Sequence, residues 1–186
     1  QLGLYLAHLL SVALEKGLGI SMNKKVLIIV YRFPPMGGVG ARRWAKFSKY
    51  LARNGYVVHV ITCHYPYQNA SNWDKDVQHE NIVVHRIKTG YPAWLLSPYS
   101  GILGKAASLV GRLLRKTFFY LDIAQRWCGT LVPYANRLIR AEGIRNVVVS
   151  GPPSSLHYTA TYLKIENPCI NLIQDYRDPW NSDWPY

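Results

Sequence analysis

The sequence predicts an α/β fold built on a doubly wound, mostly parallel sheet. Two observations carry this reading. Apolar runs of five to seven residues, rich in Val and Ile, recur at 26–31, 56–62, 82–87, 146–150 and 169–174. Short apolar runs of this kind suit strands buried on both faces. Segments of helical period separate most of them, and the opening spells strand, glycine-rich turn, helix, strand.

The first run (VLIIVY) stands behind Lys24 and Lys25 and leads into Pro34-Pro35-Met36-Gly37-Gly38-Val39-Gly40. From Ala41 to Asn54 the period is helical. Trp44, Phe47 and Leu51 fall on one stripe, and Arg42, Lys46, Lys49 and Arg53 on another. Asn54-Gly55 is a helix stop. The second strand (YVVHVIT) follows, then a polar, aromatic surface loop over 65–76 and a third strand (IVVHRI). Residues 91–99 read as loop and 102–120 as helix. A further helical region is expected over 122–142, with a break at Pro133. The fourth strand (NVVVS) runs into Gly151-Pro152-Pro153-Ser154-Ser155, a turn and helix start, with helix over 157–164. The fifth (CINLIQ) ends in Asp175-Tyr176-Arg177-Asp178-Pro179-Trp180.

With 49% apolar and 17% charged residues in 186, the chain can build a core and is not a disordered segment. Residues 1–21 are expected to be an N-terminal helical extension, upstream or added sequence, because Met22-Asn23-Lys24-Lys25 reads as a start. Residues 22–186 are expected to form one domain. Cys63, Cys128 and Cys169 are odd in number and make no CxxC pair, so neither a disulfide framework nor a zinc site is supported. A reducing cytosol is the plainer setting. No apolar run is long enough for a spanning helix. The formal charge of +12 points to anionic partners.

In a parallel sheet, ligands bind beyond the carboxyl ends of the strands. The segments at 34–43, 151–155 and 175–180 all follow strands, so they should share one edge. The first two would offer helix N-termini, whose free N–H groups and dipole favour anions. The third would offer two carboxylates and a guanidinium. There is no GxxxxGK[ST] phosphate loop. Gly37-Gly38-Val39-Gly40 lacks the GxGxxG spacing, and no acidic residue closes the second strand to hold a dinucleotide ribose.

The stretch FPPMGGVGARRWAKFSKYLARNGYVVHVIT resembles the start of a family 4 glycosyltransferase of the GT-B architecture. GPPSSLHYTATYLK, a strand and DYRDPW are similar to a subgroup found in bacterial capsular and exopolysaccharide biosynthesis. The resemblance covers about residues 24–180. It implies a Rossmann-like N-terminal, acceptor-side half of a GT-B enzyme, with a C-terminal donor-binding domain lying in a parent about twice as long. It implies transfer of a sugar from a nucleotide-sugar donor to a lipid-linked glycan or lipid-diphosphate acceptor, without metal or cofactor. This chain alone would then be inactive. Gly37, Gly38 and Gly40 match the family's glycine loop near the donor diphosphate, with Arg43, Gly151 and Ser154 as further donor-phosphate or acceptor contacts. Asp175, Arg177 and Asp178 match the subgroup's aspartate-arginine-aspartate segment at the cleft wall. Asp178 or Asp175 is the candidate for orienting or deprotonating an acceptor hydroxyl. His157, just past the place where some family members carry a histidine, is a weaker candidate.

The resemblance also implies work at the cytoplasmic face of the membrane as a peripheral protein. Lys105, Arg112, Arg115 and Lys116 gather on one side of the expected 102–120 helix, beside Phe118 and Phe119. That side is the candidate membrane-facing surface, and the Arg42/Lys46/Lys49/Arg53 stripe a second. The aromatic end of the chain makes self-association an expectation. Two alternatives compete: a nucleotide- or dinucleotide-binding redox module, and a basic nucleic-acid-binding protein. The second has no recognised binding module, and nucleic acid is not the expected partner.

Overall fold

The computed structural model describes residues 24–64, 72–89, 122 and 124–177. Five strands form one sheet: β1 (Lys25–Val30), β2 (Val57–His64), β3 (Ile82–Lys88), β4 (Asn146–Gly151) and β5 (Asn171–Tyr176). Their spatial order is β3-β2-β1-β4-β5, and every pairing is parallel. This is the doubly wound, Rossmann-like arrangement the sequence predicts. The chain moves outward from β1 through β2 to β3, then returns to place β4 on β1's other side. The strand order therefore reverses between β1 and β4.

Helices cover both faces. Helix α1 (Val39–Arg53) lays Trp44, Phe47 and Leu51 against Val26, Ile28, Val30, Val58, Val60 and Val148. The predicted apolar stripe is thus the buried one. On the other face, α2 (Trp127–Glu142) and α3 (Ser155–Glu166) bury Trp127, Leu131, Leu156 and Leu163 against Leu27, Ile29, Ile61, Val147 and Val149. The central strands are almost wholly enclosed, which is why they read as continuous apolar runs rather than alternating ones.

Three boundaries differ from expectation. Helix α2 starts at Trp127, not 122, and runs through Pro133 without a break. Pro133, the seventh residue of the helix, lies past the first turn and removes one interior N–H bond to the Gly129 carbonyl, a loss that the packed face outweighs. Strand β5 begins at Asn171, two residues later than expected, and extends to Tyr176, so Asp175 is a strand residue rather than a loop residue. Residues 72–76 of the expected surface loop form a 3-10 turn.

That turn changes the meaning of the basic stripe on α1. Lys46 and Lys49 both reach the Asp76 carboxylate, at 2.7 and 2.6 Å. Their contacts, Lys46 first, hold Asp76 below the usual carboxylate range. The Arg42 guanidinium lies 5.9 Å from the Trp73 ring centre. Three of the four stripe residues thus dock the chain's own turn, leaving only Arg53 of the stripe outside this contact. The Lys105, Arg112, Arg115 and Lys116 cluster lies outside the described residues, as does the N-terminal extension.

A histidine pair bridges the sheet to α2. The His59 Nδ1 stands 3.2 Å from the His85 Nε2, and the His85 Nδ1 stands 2.9 Å from the Tyr134 hydroxyl. A neutral chain satisfies these contacts: Tyr134 donates to His85, and His85 donates to His59. Burial lowers the pKa of both histidines, and for His85 the neighbouring His59 lowers it further. Glu142 acts the other way on each, and Lys25 adds to the lowering at His59. The unfolded chain, with histidines near 6.5, therefore binds more protons than the folded one as pH falls below that value. Stability is full above about 6.5 and drops below it. A thermal melt at pH 5.5 is expected to fall below one at pH 7.5, with replacement of both histidines by glutamine shrinking the gap. Equal melting temperatures would contradict this.

Candidate functional site

The loops after β1 and β4 meet where the strand order reverses. A cavity of about 400 Å³ opens there, lined by Tyr31, Arg32, Gly38, Val39, Gly40, Arg43, Trp44, Ser150, Gly151, Pro152, Pro153 and Arg177. A crevice at a switch point is the usual ligand position of an open parallel sheet.

The first wall is the loop 31–38. Phe33 is fully buried and anchors it, Arg86 donates to the Pro34 carbonyl at 2.7 Å, and the Met36 N–H closes a turn on the Phe33 carbonyl at 3.0 Å. The loop is held before any ligand arrives. Gly38 ends it with φ 111° and ψ 157°, a backbone shape that a Cβ makes costly, and it caps α1. No side chain caps that helix and its first turn holds no acidic residue. Its positive end therefore faces the cavity with no carboxylate in its own first turn and no side-chain cap among the described residues.

Guanidinium groups surround that end. A Cβ on Gly40 would lie 3.0 Å from the Arg177 Nη1, so the glycine leaves room for the arginine to settle over the helix start. The Arg32 Nη1 would stand 3.6 Å from a Cβ on Gly38. Arg43 packs over the Trp44 and Phe47 rings and donates to the Asp175 Oδ1 at 2.9 Å. Ser150 donates to the other carboxylate oxygen at 2.7 Å. Asp175 thus has both oxygens engaged and orients Arg43. It sits beside Ser150 in the ladder because the two are register partners on β5 and β4.

The second wall departs from expectation in its chemistry. The start of α3 does not offer its N–H groups to the cavity. The Ser155 N–H donates to the Asp122 Oδ2 at 2.7 Å, the Ser155 hydroxyl donates to Oδ1, and Asp122 also accepts from the Ala124 N–H at 2.9 Å. This internal carboxylate satisfies the α3 dipole, so Ser154 is neither a side-chain cap nor part of the lining. Gly151, Pro152 and Pro153 supply shape instead. Gly37 also stays outside the lining.

Of the predicted residues, Gly38, Gly40, Arg43, Gly151 and Arg177 meet at the cavity, with Asp175 behind Arg43. Asp178 lies outside the described residues. Sequence reading missed Arg32, although its place directly after a buried strand was a signal. It also missed Asp122, whose partner lies 33 residues away. His157 is buried beneath the second wall. The Cys63 thiol is buried and pushed up to about 12, so it is inert packing, not a nucleophile.

Among the described residues, no helix is long and apolar enough to cross a membrane, and no group of three or more His, Cys, Asp or Glu could hold a metal ion. No family model matches the chain, and no curated protein matches it. Among solved structures, the chain is similar to the C-terminal domain of a hydrogenase from Pyrococcus furiosus. That similarity has a TM-score of 0.43 and 13% identity, over 86% of this chain and 96% of that one. The sheet topology is Rossmann-like, with a cavity at its switch point.

Proposed function

We propose that this chain is the acceptor-side domain of a GT-B glycosyltransferase. The reaction would move a sugar from a nucleotide-sugar to a glycan or lipid-diphosphate acceptor. The observation that carries the reading is the convergence of Arg32, Arg43 and Arg177 on the open start of α1 at the switch point. Like charges gathered there repel one another and the helix dipole, and an anion relieves both. A diphosphate is an anion of the right kind. The sequence resemblance supplies the finer class, placing Gly38 and Gly40 at a donor diphosphate.

Within this reading the residues divide their work. Arg43, fixed by Asp175, and Arg177 steady the negative charge that grows on the leaving diphosphate. Asp178, three residues beyond Asp175, is the carboxylate assigned to the acceptor hydroxyl, because Asp175 is already committed to Arg43 and Ser150. Docking at the inner face of the membrane rests on the 105–116 basic cluster and on the acceptor's chemistry. A dinucleotide-binding module is the weaker reading, since β2 closes on Thr62-Cys63-His64 with no carboxylate for a ribose.

The test is a nucleotide-release and sugar-transfer assay of the full reading frame against UDP-, GDP- and other nucleotide-sugars, run beside the 186-residue chain. Release by the full protein, silence from this chain alone and a marked drop in turnover on Asp178→Asn are expected. Absence of release with every donor would reject the transferase assignment.

A further inference from the structure

We propose that His157 is a positioning residue for the anion cavity, acting from beneath it through Gly151. The inference rests on reading the switch-point cavity as an anion site, but no resemblance or motif assigns this role.

His157 is 4% exposed, in the first turn of α3. One face of its ring lies against Tyr176, with centroids 3.8 Å apart and planes 12° from parallel. Its Nδ1 stands 3.1 Å from the Gln174 Oε1, which also accepts from the Tyr176 hydroxyl at 3.0 Å. An amide oxygen only accepts, so the Nδ1 carries the ring proton. Stack and hydrogen bond together fix the ring's rotation. Burial, the largest influence, keeps the imidazole below the ordinary histidine range, although Gln174 and Asp175 pull the other way. The ring is therefore neutral near pH 7, with its proton on Nδ1 and none on Nε2.

That fixed ring aims its Nε2 edge at Gly151. A Cβ on Gly151 would lie 2.6 Å from the Nε2, 3.2 Å from the Cδ2 and 3.4 Å from the Pro153 carbonyl oxygen. Gly151 does not have a positive φ. The requirement for glycine thus comes from the ring beneath it, not from the backbone. Gly151 pairs with Tyr176 across the β4–β5 ladder, so the stack and the glycine share one rung. Gly151, Pro152 and Pro153 also form the second cavity wall, which contributes shape rather than N–H donors. Its shape is set by what it rests on, and it rests on His157.

Sodium pyrophosphate titrated into the 186-residue chain, followed by calorimetry with melting temperatures in parallel, tests this. Gly151→Ala is expected to weaken binding about tenfold, because the added methyl displaces the wall or the ring. His157→Ser in the same chain vacates the space that methyl needs, and the double variant is expected to bind about fivefold more tightly than Gly151→Ala alone. A ring that served stability alone would give no such recovery. Wild-type affinity in Gly151→Ala, or a double variant no tighter than that single one, overturns the proposal. Should Gly151→Ala fail to fold, His157→Gln replaces it, keeping a donor for Gln174 but losing the stack. It is expected to bind about fivefold more weakly with a similar melting temperature, and unchanged affinity overturns the proposal. Absence of pyrophosphate binding by the wild type would reject the anion reading and this inference with it. Binding that ignores both positions would reject the inference alone.

Discussion

Arg43→Ala is expected to weaken pyrophosphate binding by about 10- to 100-fold. A hydrogen bond to a charged partner contributes about 1.5–3 kcal/mol, which by itself spans that range. Asp175 adds a second reason for the loss. Its side chain is 19% exposed and depends on Arg43 and Ser150 for its partners. Removing the arginine leaves that carboxylate beside the cavity without its cation, and an arriving anion then meets negative charge. Asp175→Asn added to Arg43→Ala should recover part of the loss by removing the stranded charge. The effect on folding is smaller, because the pair is partly solvated and such bridges contribute little. Calorimetric titration of the wild type, Arg43→Ala and the double variant decides the matter. No recovery in the double variant would show that Asp175 is not coupled to the ligand.

The contrast between local and distant information explains what the sequence made legible. Strands β1, β2 and β4 could be read because burial on both faces leaves an apolar run, and α1 because Trp44, Phe47 and Leu51 repeat at helical spacing. The end of β5 could not. Asp175 looks like loop chemistry, and only pairing with Ser150 on β4 draws it into a strand. The glycine loop could be read because strand, glycines and helix start adjoin in the chain. Asp122 as the cap of α3, and Asp76 as the dock for Lys46 and Lys49, rest on contacts that no period encodes. His157 illustrates the limit most clearly. The sequence makes it only a weaker candidate, and its contacts with Gly151 and Tyr176 arise through the fold.

The largest expected loss of stability follows from Trp127→Ala. Trp127 is fully buried at the start of α2 and meets Tyr31 edge to face, with ring centroids 5.6 Å apart and planes at 85°. Replacing a buried tryptophan with alanine costs about 3–5 kcal/mol through lost transfer energy and the cavity left behind. One feature lowers the figure here. The indole N–H is buried and finds no acceptor among the described residues, so the wild type already carries an unsatisfied donor that the substitution removes. A loss near 3 kcal/mol follows, or roughly 6–12 °C in melting temperature for a domain of this size. Trp127→Phe separates the two contributions. It keeps most of the apolar volume and discards the N–H, so its loss should be well under half that of alanine. The site should register the difference as well. Tyr31 lines the cavity at the end of β1, and Trp127 is the ring that fixes it from the core side. Where folded protein remains, Trp127→Ala should weaken pyrophosphate binding while Trp127→Phe preserves it. Thermal melts and titrations of the two variants give the answer: equal destabilisation by Phe and Ala would mean that the indole N–H has an acceptor after all, and that the lost bond rather than the lost volume dominates.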